Sequence, residues 1–130
     1  MPHEAEIRTA HGRAAVAEPH SIVVAHHRAG TAEVKMAQMS GGSLLHLALA
    51  GCVFNNVLRM AGDRGISVDE ASVRVSGGFN DDGASTGVEC HVDVLGDAPT
   101  EQLRELAQAA FDDSTVAAAL RQGTVVRLAS

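Results

Sequence analysis

Two thiols and seven imidazoles are the side chains best suited to chemistry in this 130-residue sequence. Cys52 sits inside the longest apolar stretch, Leu44 to Phe54. On a helical reading Leu45 and Leu49 lie behind it, with Asn55, Asn56 and Arg59 ahead on nearby faces. A reactive thiol needs a lowered pKa, from a cation or a helix dipole, and access to substrate. Nothing adjacent in sequence guarantees either, and free cysteine is among the most buried residue types. Pattern alone leaves Cys52 two readings, an inert core thiol and a nucleophile. Cys90 alternates with Val88, Val92 and Val94, the spacing of a strand's core face, so its structural reading outweighs a role in resolving an oxidised thiol.

The histidines offer no ligand spacing. Neither His-x-x-x-His nor Cys-x-x-Cys occurs, and His26 and His27, adjacent on a strand, are expected on opposite faces. Surface histidines and no metal are the expectation. His46 is six positions before Cys52, well round the helix from it, and reads as a buried, hydrogen-bonded histidine. Asp113 and Ser114 read as an ordinary helix start.

The elements that must position these groups are marked by turn signals and periodicity. Short strands are expected at Glu4–Thr9, Arg13–Ala17 and Ile22–His27, separated by His11-Gly12 and Glu18-Pro19-His20-Ser21. Residues 31–39 have helix-favouring composition but also suit a strand returning beside Ile22–His27. Ser40-Gly41-Gly42-Ser43 breaks the chain and ends in a helix cap. The strongest helical segment runs from Leu44 to about Asp63, with Gly65 closing it. A hairpin turning at Asn80–Gly83 comes next, its first strand marked by Val73, Val75 and Phe79. Leu103, Leu106, Ala107, Ala110 and Phe111 recur at helical spacing. A shorter helix ends at Gly123, and Thr124–Leu128 reads as a last strand. The order defines one α+β domain over residues 1–130, with an antiparallel sheet.

Composition narrows the partners. The net charge is −6, with ten basic side chains scattered along the chain, and there are three Phe, no Trp and no Tyr. A basic face for nucleic acid or anionic membrane is missing, and so are the rings that stack bases. The polar, acidic start reads as no secretory signal, and Leu44–Phe54 falls short of a bilayer span. The cytoplasm is therefore expected, with both cysteines as thiols.

The stretch Gly42-Ser43-Leu44-Leu45-His46-Leu47-Ala48-Leu49-Ala50-Gly51-Cys52, continuing through Val57-Leu58-Arg59-Met60-Ala61 to Arg64-Gly65-Ile66, resembles the OsmC/Ohr family. There a helix of the form LL-x-x-A-x-A-x-C carries a peroxidatic cysteine. The order of strands, cysteine helix, hairpin, two helices and closing strand is similar as well. The resemblance implies an intertwined homodimer, with the cysteine helices at its centre and active sites at the interface. It implies reduction of organic hydroperoxides by a thiolate that becomes a sulfenic acid and condenses with a resolving cysteine. It matches Cys52 to the peroxidatic position. It also implies an activating arginine from the N-terminal strands, for which Arg13 is the best candidate and Arg8 and Arg28 are rivals.

Two family parts are absent. Ser40-Gly41-Gly42-Ser43 stands where the family's peroxidases have Asn-Pro-Glu, and Asp113-Ser114-Thr115 stands where they keep the resolving cysteine. Two functions remain as expectations. One is a one-cysteine thiol peroxidase that acts on a small hydrophobic hydroperoxide, draws on an external thiol reductant and uses no cofactor. The other is a non-catalytic dimeric module that binds a small hydrophobic ligand.

Overall fold

The computed structural model describes residues 3–10 and 21–129. Its elements are β1 (Ala5–Thr9), β2 (Ser21–His26), β3 (Gly30–Met36), α1 (Gly41–Asp63), β4 (Val68–Phe79), β5 (Ser85–Gly96), α2 (Thr100–Asp112) and α3 (Thr115–Gln122). The strands form one sheet in the order β2-β3-β1-β4-β5. Every neighbouring pair is antiparallel. The α+β architecture matches the sequence reading; the strand expected at 13–17 lies outside the described residues.

The ambiguous segment 31–39 is strand. Ile22 pairs with Val34 and Val24 with Ala32 across a turn at Gly30, and Ala32 and Val34 are buried against the helix layer. Cross-strand burial overrides the local helix preference of Ala, Glu, Lys and Met. In the hairpin, Val73 faces Val92 and Val75 faces Cys90, so one face is apolar while Arg74, His91 and Asp93 share the other.

α1 starts earlier than the sequence suggests. Ser40, not Ser43, is the cap: its side chain accepts from the Ser43 N–H at 3.2 Å, and Ser43 is buried inside the first turn. Gly42 is required here, because a Cβ would lie 2.8 Å from the His3 and Phe79 rings. At the far end Ile66 N–H bonds Ala61 O at 2.9 Å and Gly65 N–H bonds Gly62 O at 3.2 Å. With Gly65 at φ +69°, this is a Schellman stop. One face of α1, including Leu49, Val53, Phe54 and Val57, packs on Ile7, Val34, Val73 and Val75 of the sheet. By length and composition α1 could cross a membrane; this packing makes it the core helix of the fold. Leu44 and Leu45, on its other side, stay 46% and 37% exposed.

The expected closing strand is corrected. Residues 124–129 form no ladder, and Val125, Val126 and Leu128 are 74%, 86% and 98% exposed. Gly123, at φ +69°, turns the chain after α3. A strand exists only where a neighbour completes its hydrogen bonds, and among the described residues none runs beside this segment.

Candidate thiol site

Cys52 faces the corner where α2 ends and α3 begins. The Ser114 hydroxyl donates to its Sγ at 3.2 Å, and Thr115 Oγ1 lies 3.7 Å from the same sulfur. Ser114 also caps α3, its oxygen accepting the Ala117 N–H at 3.1 Å. A hydroxyl has one donor and two acceptor sites, so both bonds form at once. Burial pushes the Cys52 thiol up. The Ser114 hydroxyl, the Val116 N–H, and the hydroxyl and N–H of Thr115 together outweigh it and bring the thiol below its ordinary value. These donors are the first residues of α3, where unpaired N–H groups and the helix dipole favour an anion.

α1 itself holds this corner in place. Asn56, one turn beyond Cys52, donates from Nδ2 to Ala110 O at 3.1 Å. Arg59 donates to Asn56 Oδ1 at 3.3 Å and to Asp113 Oδ2 at 2.7 Å. Asp113 directly precedes Ser114, so the ion pair fixes the residue beside the sulfur's donor. The pair is largely solvent-exposed and contributes little to global stability. Arg59→Met is expected to change unfolding free energy by no more than ~1 kcal/mol while slowing Cys52 alkylation several-fold at neutral pH. An unchanged alkylation rate would show that Asn56 alone holds the corner.

The other sequence candidates fall elsewhere. Arg13 lies outside the described residues, as do His11 and His20. Arg8 pairs with Glu33 across β1 and β3. Arg28 lines a shallow hollow with Leu58, Gly62 and Ile66, towards the end of α1. Cys90 lies on the inner face of β5, half-buried, and burial pushes its thiol up to about 11. Both cysteines are free. His46 is fully buried; its Nδ1–H donates to the His3 carbonyl, and its ring stacks on Phe79 at 5.9 Å. This is the buried, hydrogen-bonded histidine that the sequence suggests.

The expectation that His26 and His27 point apart is wrong. Their rings stack at 4.8 Å, because His26 ends β2 and His27 already belongs to the turn. His26 Nδ1 accepts from the N–H groups of Arg28 and Ala29 at 3.1 and 3.0 Å, which commits that nitrogen to the turn. Among the described residues no group of three His, Cys, Asp or Glu is placed to hold a metal ion.

The donor role of Ser114 is what sequence reasoning missed. Its cap role is readable from the helix-forming residues just after it; its distance to a sulfur 62 positions away is not.

An antiparallel sheet packed on a long helix, with one hydroxyl-bonded thiol on that helix, defines an α+β fold. A family model described as OsmC-like protein matches residues 30–129, and the chain belongs to that family. Its fold is similar to the crystal structure of an OsmC-like hydroperoxide resistance protein from Jannaschia sp. CCS1. That likeness has a TM-score of 0.57 and 15% identity, and covers 98% of this chain and 91% of the other. No curated protein matches the sequence.

Proposed function

We propose that the protein is a one-cysteine thiol peroxidase that reduces hydrophobic organic hydroperoxides at Cys52 and works as a homodimer. The observation that carries this reading is the set of donors from Ser114, Thr115 and Val116 on the Cys52 sulfur. Such a cradle favours the thiolate, which is the nucleophile. The thiolate attacks the O–O bond of ROOH; sulfur gains OH as a sulfenic acid, and the alkoxide leaves, taking a proton to become ROH. An external thiol then condenses with the sulfenic acid, releasing water and forming a mixed disulfide. A second thiol reduces that disulfide and restores Cys52.

The preference for a hydrophobic substrate rests on the surface beside the sulfur. Leu45 and Ala48 lie on the same helix face in the two turns before Cys52, and both are exposed. An alkyl or aryl group lying there would bring its peroxide to the thiolate. The same exposed stripe, with Leu44, supports the homodimer, because a second copy would cover it. The reading points to the cytoplasm, where thiol reductants keep both cysteines reduced.

Steady-state consumption of an organic hydroperoxide by the protein with an excess of a small thiol tests the reading. Turnover lost in Cys52→Ser and kept in Cys90→Ser is the expected result. Equal background rates for all three proteins would leave the module that binds a small hydrophobic ligand.

A further inference from the structure

The oxygen expelled from an organic hydroperoxide departs as an alkoxide, a far stronger base than a thiolate. A donor placed to meet it lowers the barrier. Two hydroxyls flank the Cys52 sulfur, and they are not equivalent. Ser114 is 3% exposed; its proton goes to Sγ at 3.2 Å and its oxygen accepts the Ala117 N–H at 3.1 Å. That hydroxyl is committed on both sides and closed to water. Thr115, the first residue of α3, is exposed. Its Oγ1 stands 3.7 Å from the same sulfur, the longer of the two contacts, and has no other side-chain hydrogen bond among the described residues. Arg59, farther along α1, directs its guanidinium to Asp113 and Asn56.

We propose that the Thr115 hydroxyl is the catalytic proton donor to the leaving oxygen of the hydroperoxide. The assignment rests on the peroxidase reading of Cys52. A peroxide held with its oxygens about 3–3.5 Å from the sulfur is within hydrogen-bond reach of a hydroxyl 3.7 Å from that sulfur. The thiolate sulfur bonds the terminal oxygen, the O–O bond breaks, and its electron pair passes to the oxygen that carries the organic group. As negative charge leaves the sulfur, the hydrogen bond from Thr115 to it weakens, and the proton turns to the alkoxide. ROH forms, and Thr115 takes a replacement proton from the water around it. Ser114 stays on the sulfur throughout. The two adjacent hydroxyls thus have separate roles, Ser114 in ionising the thiol and Thr115 in releasing the alcohol.

Thr115→Val keeps the shape of the side chain and removes its proton. Oxidation of the native, Thr115→Val and Thr115→Ser chains is followed at neutral pH with two oxidants. One is tert-butyl hydroperoxide, whose alkoxide needs a proton; the other is peroxyacetic acid, whose carboxylate leaves without one. Each rate is divided by the rate of alkylation with iodoacetamide, which counts the thiolate and releases iodide unprotonated. On this scale Thr115→Val is expected to lose roughly ten-fold or more with tert-butyl hydroperoxide and nothing with peroxyacetic acid, and Thr115→Ser to restore the native ratio. A role in thiolate stabilisation alone would cancel in the ratio, and a structural role would slow both oxidants together. Equal ratios for native and Thr115→Val with tert-butyl hydroperoxide, or parallel losses with both oxidants, overturn the assignment and leave the peroxidase standing. A native chain that tert-butyl hydroperoxide oxidises no faster than a small free thiol removes the peroxidase reading and the Thr115 role with it. Should Thr115→Val prove unstable, Thr115→Ala removes the same hydroxyl and is held to the same comparison.

Discussion

Ser114→Ala is expected to slow Cys52 roughly ten-fold or more at neutral pH, in both alkylation and hydroperoxide reduction. The Ser114 hydroxyl is the largest single influence holding the Cys52 thiol down against burial, and it donates at 3.2 Å. A hydrogen bond to a charged group contributes about 1.5–3 kcal/mol, and each 1.36 kcal/mol is one pKa unit. Removing it raises the thiol pKa, so at any pH well below the native value the thiolate population falls by the corresponding factor. Above the thiol pKa of the variant the two proteins should converge, which marks the effect as one on ionisation. The substitution also removes a helix cap, at a cost of about 1 kcal/mol. Ser114→Asp separates the two effects: it keeps a capping oxygen for Ala117 but removes the donor and sets a carboxylate against the sulfur. It should retain stability and slow Cys52 further. A variant Ser114→Asp as reactive as the native protein would exclude the cradle as the source of reactivity.

The pH dependence of stability has opposite signs at the two thiols. Cys52, held below its ordinary value, adds stability that is present above the unfolded thiol pKa and disappears as pH falls through the lower folded value. Cys90, pushed up to about 11 by burial, removes stability as pH rises from the ordinary thiol value towards 11, because the unfolded chain ionises first. The two thiols therefore offset each other in alkali.

What the sequence disclosed is set by how local each signal is. The cysteine helix and its Gly65 stop were legible because periodicity and C-capping lie within a few turns. Its start was misplaced by one turn, since Ser40 and Ser43 are both competent caps and only the packing of His3 and Phe79 on Gly42 selects between them. Residues 31–36 stayed ambiguous because helix propensity is local whereas the strand is made by Val24 and Ile22 pairing across the turn. Thr124–Leu128 carried a strand's pattern without a strand's partner among the described residues. At the site, helical spacing placed Asn56 and Arg59 on faces near Cys52, while the pattern around Cys52 left both an inert core thiol and a nucleophile open. The Ser114 contact required knowing that the α2–α3 corner folds back onto α1, which no spacing encodes.

On the proposed chemistry, Ser114→Cys should let Cys52, once oxidised to a sulfenic acid, close a disulfide. Treated with a slight excess of organic hydroperoxide in the absence of reductant, the native chain is expected to gain one oxygen on Cys52 and form no internal crosslink. The reason is position. Cys90 sits on the β5 face that packs towards α2, whereas the Cys52 sulfur faces the start of α3, so the two thiols open to different surroundings. A disulfide requires sulfurs about 2.05 Å apart and Cα atoms within roughly 7 Å. The Ser114 oxygen, at 3.2 Å from Sγ, is already aimed along such a bond, and a small rotamer adjustment closes the remaining gap. In Ser114→Cys the new thiol attacks the Cys52 sulfenic acid, water leaves, and intact mass falls by two hydrogens instead of rising by one oxygen. The variant should then turn over with a dithiol reductant. Loss of two hydrogens in the native chain, through a Cys52–Cys90 crosslink, would show that β5 opens far enough to resolve the sulfenate. Failure of Ser114→Cys to crosslink, with Cys52 still oxidised, would show that the corner moves away from the sulfur once the thiolate is consumed.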